Sequence, residues 1–196
     1  MSKHTQNKFP ISIGPWQKLS SECRYDNPWI QVFHEEVLSP GKQRGIYGRV
    51  HFKGQAVAIL PIDESGNTYL VKQYRYTLEQ DSWELPMGGC PRGESAEKTA
   101  HRELEEETGL LAKTMLKLGK YHTSNSITDE KGTAFLALDL SPGIQQLEHT
   151  ETDLEVLILP FEEALQWVDE GKITDSICIA ALLQAERLRL KGHVNF

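Results

Sequence analysis

Glu94, Arg102, Glu103, Glu106 and Glu107 share one short stretch, GGCPRGESAEKTAHRELEEETGLL (residues 88–111). If residues 96–108 are helical, Glu103, Glu106 and Glu107 fall within about 100° of one another, and like charges at that spacing repel. No lysine stands four residues on to relieve them; those positions hold Glu107, Leu110 and Leu111. A solvated acidic face is the ordinary reading of a charge run. Here, however, the carboxylates border the apolar stripe Ala96, Ala100 and Leu104 instead of opposing it. Glu94 lies just before the helix, where a loop can fold it over the same spot, and Glu105 points elsewhere. A divalent cation would supply the missing positive charge. Oxygen donors suit hard ions, and magnesium keeps waters while sharing phosphate oxygens with a substrate.

The elements needed to position these groups are legible around them. Ser95 is a fitting N-cap and Gly109 a fitting C′ residue for the acidic helix. Before it, residues 29–38, 46–53, 55–62 and 68–76 are rich in β-branched and aromatic residues, and SPGKQRG and DESGN read as turns. After it, MLKLGKYHT, GTAFLALDL and DLEVLILP read as strands. FEEALQWVDEG and DSICIAALLQAERLRLKG read as helices, the latter burying Ile177, Ala180, Ala181, Leu183 and Leu188. Strands, helix, strands, helices imply a mixed α/β architecture. Residues 1–50 are expected to form a small antiparallel appendage and residues 51–196 the main domain.

Bulk properties narrow the function. A chain of 196 residues, 39% hydrophobic and 25% charged, is expected to fold around a core. Its net charge of −7 argues against a broad grip on nucleic acid, though not against a small anion held through a metal. Cys23, Cys90 and Cys178 offer neither a disulfide framework nor zinc spacing. The N-terminus lacks an apolar leader and no run approaches a membrane span, so a cytoplasmic protein without membrane or nucleic-acid partners is expected. His51, His101 and His122 show no ligand spacing. GKITD at 171 lacks the first glycine of a phosphate-binding loop, and no GxSxG or HExxH occurs.

Gly88, Glu94, Arg102, Glu103, Leu104, Glu106, Glu107, Gly109 and Leu110 match every fixed position of GX5EX7REUXEEXGU, where U is aliphatic. This is the Nudix box, and the chain resembles Nudix hydrolases, which cleave a nucleoside diphosphate linked to another moiety. The resemblance implies the Nudix fold, a mixed sheet between helices. It implies Glu103 and Glu107 as metal ligands, supported by Glu94, Glu106 and the Met87 carbonyl, with Arg102 orienting a box glutamate. QYRY (73–76), WELPMGG (83–89), NPWI (27–30) and EEALQWVDEGKITD resemble the ADP-ribose pyrophosphatase branch. In that light Arg75 is a candidate phosphate contact, since a guanidinium fork matches phosphate oxygens. Glu84 is a candidate for a substrate or metal contact, or for a buried ion pair.

The same resemblance implies two or more Mg²⁺ ions, with Mn²⁺ also suitable, and a general base on a loop beyond the box. EHTETDLE (148–155) offers Glu151, then Glu148, with Glu106 as the fallback. Trp29, Tyr47 and Tyr74 are candidate platforms for adenine, and a homodimer through the N-terminal strands is implied. One departure concerns TSNSITDE (123–130), where Ser126 stands in place of the proline usual in this branch. Ser126, Thr128 and Glu130 are the candidates for reading the sugar. ADP-ribose is therefore the expected substrate. GDP-mannose or ADP-glucose is the alternative, and a module that senses ADP-ribose without cleaving it is a third reading.

Overall fold

The computed structural model describes residues 9–196, so the expectation of a leaderless N-terminus falls largely outside the described residues. The chain divides into two compact units. One runs up to Lys53 and includes Ser124–Glu130; the other comprises Gly54–Thr123 and Lys131–Phe196.

The first unit is an antiparallel meander of β1 (Ile11–Ile13), β2 (Trp16–Asp26), β3 (Ile30–Leu38) and β4 (Arg44–Phe52). The first two strands were not anticipated individually, because their alternation is broken by polar residues such as Lys18, Ser20 and Ser21. Glu35 on β3 is buried and held by Lys18 Nζ at 2.7 Å and Ser21 Oγ at 3.0 Å. The Ser124–Glu130 segment is fastened to β4. The Tyr47 hydroxyl donates to Ser126 O at 2.6 Å, Phe52 N–H donates to Asp129 Oδ1 at 2.9 Å, and His51 Nδ1 lies 2.6 Å from Asp129 Oδ2.

The second unit follows from two continuous apolar runs. β5 (Gln55–Pro61) and β10 (Lys131–Pro142) pair in parallel, with β8 (Met87–Cys90) and β9 (Leu110–His122) antiparallel outside them. Strands covered on both faces need apolar residues at successive positions. Alternation then divides them cleanly. Val57, Ile59, Phe135 and Ala137 pack with Ala100 and Leu104 of α1 (Ala96–Thr108). Ala58, Leu60, Ala134 and Leu136 pack in the opposite cluster with α2 (Phe161–Asp169) and α3 (Ser176–Leu190). The sheet thus lies between helices, as expected. A second, antiparallel sheet is ordered β11 (Glu155–Pro160), β6 (Asn67–Arg75), β7 (Gln80–Glu84).

One sequence expectation needs correction. α3 buries Ile177, Cys178, Ala181, Leu182 and Ala185, whereas Leu183 is 50% exposed and Ala180 and Leu188 are half-buried. The helix is apolar nearly all round, so periodicity alone misplaces its face. β7 and β8 were missed as strands because QDSWE and MGGC carry few β-branched side chains. Among the described residues no helix is long and apolar enough to cross a membrane.

Candidate active site

The acidic helix begins and ends where its sequence dictates. Ser95 Oγ accepts the Lys98 N–H at 3.2 Å, and Gly109, at φ 69°, donates its N–H to Glu105 O at 2.8 Å. The loop from β8 brings Gly88 against the helix so closely that a Cβ there would lie 2.0 Å from Glu103 Cδ. Only glycine leaves room for that carboxylate. Arg102 spans the cluster: Nη2 lies 2.7 Å from Glu103 Oε1 and 3.3 Å from Gly89 O, and Nη1 lies 2.6 Å from Glu106 Oε2. It therefore holds two box glutamates, Glu106 four residues on and Glu103 beside it. Glu94 faces the same guanidinium at 4.0 Å, and is held by Lys98 Nζ at 3.1 Å and by Thr99 Oγ1 at 3.2 Å. Those partners, the Lys98 hydrogen bond first, draw its carboxyl below the usual range.

Glu107 is buried completely. Its Oε2 accepts the Met87 N–H at 3.0 Å, while Oε1 has no hydrogen-bond partner among the described residues. Burial, followed by the charges of Glu151 and Glu103, pushes its carboxyl up to about 9. Burial also raises Glu103 to about 7 against the pull of Arg102. An orphaned carboxylate oxygen without solvent is costly unless a proton or a cation satisfies it. Among the described residues no three His, Cys, Asp or Glu side chains form a cage by themselves. Magnesium needs no such cage, since it uses one or two carboxylates together with water and substrate phosphates. The donor chemistry therefore fits a hard divalent cation at Glu107 and Glu103, beside Met87.

A dependence of stability on pH follows. Between the ordinary 4.5 and about 9, folded Glu107 keeps a proton that the unfolded chain has lost, and Glu103 does the same up to about 7. The folded state binds more protons there, so stability falls as pH rises. Glu35, Asp63 and Asp129, whose carboxyls are lowered, act only below their ordinary range and leave this window alone. In EDTA the melting temperature should drop by several degrees from pH 5 to pH 8.5. Mg²⁺ should restore it more at pH 8.5 than at pH 5. A flat EDTA profile by differential scanning fluorimetry would contradict the burial of ionisable Glu107.

The chain beyond β10 caps the helix and carries a further carboxylate to it. Gly143 N–H donates to Gly109 O at 2.7 Å, Gln146 N–H to Glu106 O at 3.0 Å, and Gln145 Nε2 to Glu107 O at 2.7 Å. These satisfy carbonyls that a helix end leaves open. The following turn closes with Glu151 N–H on Glu148 O at 3.0 Å, and Leu154 N–H on Glu151 O at 2.9 Å. Glu151 is half-buried and its charge acts on both Glu103 and Glu107, whereas Glu148 is exposed. Burial, with the charges of Glu148 and Glu106, raises the Glu151 carboxyl above its usual range.

On the other side of Met87, Arg75 and Glu84 form a two-pronged pair, with Nε to Oε1 at 2.8 Å and Nη2 to Oε2. They border a cavity of about 370 Å³ shared with Thr77, Ser82, Met87 and the start of α3. Asp175 caps that helix, accepting Ile177 N–H at 3.0 Å and Cys178 N–H at 2.8 Å. Cys178 Sγ in turn accepts Leu85 N–H at 3.2 Å, tying α3 to the chain beside Glu84. The signal in the sequence that marks Asp175 is the D-S pair ahead of an apolar run, an N-cap pattern.

Trp29, Ser126 and Glu130 belong to the first unit. Trp29 is 72% exposed, and its backbone N–H rests on Asn27 Oδ1 at 2.9 Å. Tyr47 packs edge-on to Trp16 and is committed to Ser126 O, while Tyr74 of the second unit is exposed. His51, given no role by spacing, lies with Nδ1 2.6 Å from Asp129 Oδ2.

A model of the NUDIX domain matches residues 52–177. An ADP-ribose pyrophosphatase of Bacillus subtilis (strain 168) is 35% identical over 81% of this chain and 85% of its own. A methanol dehydrogenase activator of Bacillus methanolicus is 37% identical over 84% of this chain and 89% of its own. A crystal structure of an ADP compounds hydrolase superposes with a TM-score of 0.82 at 23% identity, covering 94% of this chain and 100% of that one. That likeness shows the fold.

Proposed function

The chain belongs to the Nudix family as a hydrolase of the ADP-ribose pyrophosphatase type, and from that premise we propose that it hydrolyses ADP-ribose to AMP and ribose 5-phosphate with divalent metal. The observation that carries this reading is the fully buried Glu107, with one carboxylate oxygen unpartnered beside Glu103 and within the field of Glu151. When bound, Mg²⁺ or Mn²⁺, in two or more ions, supplies charge neutralisation and Lewis acidity to the diphosphate. Glu103 and Glu107 hold the metal, with Glu94, Glu106 and the Met87 carbonyl in support. Arg102 fixes the directions of Glu103 and Glu106. Glu151 takes the proton of the attacking water, because it is the half-buried carboxylate that the loop delivers to the box. Glu106 is the reserve base.

Arg75 holds a phosphate oxygen, backed by Glu84. Trp29 offers an aromatic face to the base, Glu130 reads sugar hydroxyls, and two copies pair through the N-terminal strands. GDP-mannose and ADP-glucose are the competing substrates, because Ser126 departs from the usual loop. The test incubates the purified protein with Mg²⁺ and ADP-ribose, ADP-glucose, GDP-mannose and NADH separately, and resolves the products. The highest kcat/KM is expected for ADP-ribose. A higher value for another nucleotide sugar would move the substrate assignment, and tight ADP-ribose binding without turnover would make the protein a sensor.

A further inference from the structure

Glu84 closes β7 at a buried position, with its side chain 5% exposed, and both of its oxygens engage one partner. That partner, Arg75 at the end of β6, keeps 34% of its side chain exposed and lines the cavity beside Met87. The contact is side-on, through Nε and Nη2. A guanidinium has five N–H groups in a planar fork. Side-on pairing consumes one on Nε and one on Nη2, leaving both hydrogens of Nη1 and one of Nη2. The remaining Nη2 hydrogen and one of the two on Nη1 form a second, end-on fork of the kind that takes two oxygens of a phosphate. The free end lies within the field of the site, since the Arg75 charge acts on both Glu107 and Glu151.

We propose that Glu84 touches neither substrate nor metal, and is a positioning residue that fixes Arg75 side-on so that its end-on fork meets the diphosphate. This rests on the hydrolase reading above and assigns Glu84 its place in it. Without the brace, the long Arg75 side chain would rotate freely and lose that geometry. Asp175 also lies near Arg75, but its Oδ1 is committed to the Ile177 and Cys178 N–H groups. The brace is therefore Glu84 alone among the described side chains that hydrogen-bond Arg75.

A double-substitution cycle in the full chain tests this, reading KM and kcat for ADP-ribose and the equilibrium Kd for ADP with Mg²⁺. Glu84→Gln should raise both KM and Kd about tenfold, as loss of an orienting partner does, with kcat changing less than about threefold. In an Arg75→Gln background the same change should have no further effect. Glu84→Asp, which keeps the charge but cannot reach both nitrogens, should fall between. Should Glu84→Gln fail to fold with Arg75 left unpaired, Glu84→Asp and the doubly neutral variant still complete the comparison. An equal loss with and without Arg75 would show direct contact between Glu84 and ligand. A fall in kcat alone would place Glu84 at the reacting atoms, and unchanged KM and Kd would leave the pair purely structural; each of these overturns the proposal. A wild type that cleaves no nucleotide sugar would defeat the hydrolase reading, while the Kd for ADP would still test the brace.

Discussion

Replacing Glu107 by Gln should leave a protein that is nearly inactive and, without metal, harder to melt than the wild type. The two effects have one cause. Glu107 is fully buried, one of its oxygens is unpartnered, and its carboxyl titrates only at about 9. At pH 8 the metal-free chain must take up a proton there in order to fold, and glutamine removes that requirement. The same change deletes the anionic donor that the cation needs. With a metal contributing several kcal/mol of transition-state stabilisation, turnover should fall about 10³-fold. Melting curves in EDTA and Mg²⁺, run beside the kinetic assay, check both halves. In the variant, Mg²⁺ should raise the melting temperature far less than in the wild type. Near-wild-type turnover would mean that the acidic helix is not the metal site.

Glu151→Gln should lower kcat by roughly 10²–10⁴-fold, the usual worth of a positioned general base, with little change in KM. It should also abolish the rise of kcat with pH, which in the wild type sits above the ordinary carboxylate value because burial raises this group. Glu148→Gln should stay within about threefold of wild type, because the Glu148 side chain is exposed and the turn is closed by its backbone carbonyl, which the substitution leaves in place. A slow Glu148 variant beside an unaffected Glu151 variant would reverse the assignment. Slowness in neither would pass the role to Glu106.

The parts of this molecule that were readable in the sequence are those set by local chemistry. Ser95 and Gly109 bracket α1 through contacts within a turn of themselves. The apolar runs of β5 and β10 announce strands buried on both faces. Glycine at 88 and the carboxylates at 103 and 107 stand at fixed spacing because the loop and helix must touch. What escaped the sequence depends on groups far apart along the chain. A buried ion pair is among the sequence expectations for Glu84, but its partner Arg75 lies across a strand pairing that QDSWE does not advertise. Glu151 is offered by the resemblance, but the contacts that carry its loop to the box, from Gly143, Gln145 and Gln146 to carbonyls at and just beyond the helix end, are not legible in the sequence. Asp129, not the more suggestive Ser126, receives Arg49, His51 and the Phe52 N–H. The face of α3 was misplaced because Leu183 and Leu182 look alike to a periodicity argument, and only packing tells them apart.

The most direct measurement follows ADP-ribose with the purified wild-type protein, with Mg²⁺ in one sample and EDTA in the other, and quantifies AMP and ribose 5-phosphate by chromatography. Equal amounts of the two products, formed only in the Mg²⁺ sample, are the expected result. ADP-ribose that remains intact with Mg²⁺, or that is cleaved as fast in EDTA, would contradict metal-dependent diphosphate hydrolysis at the Glu103–Glu107 cluster.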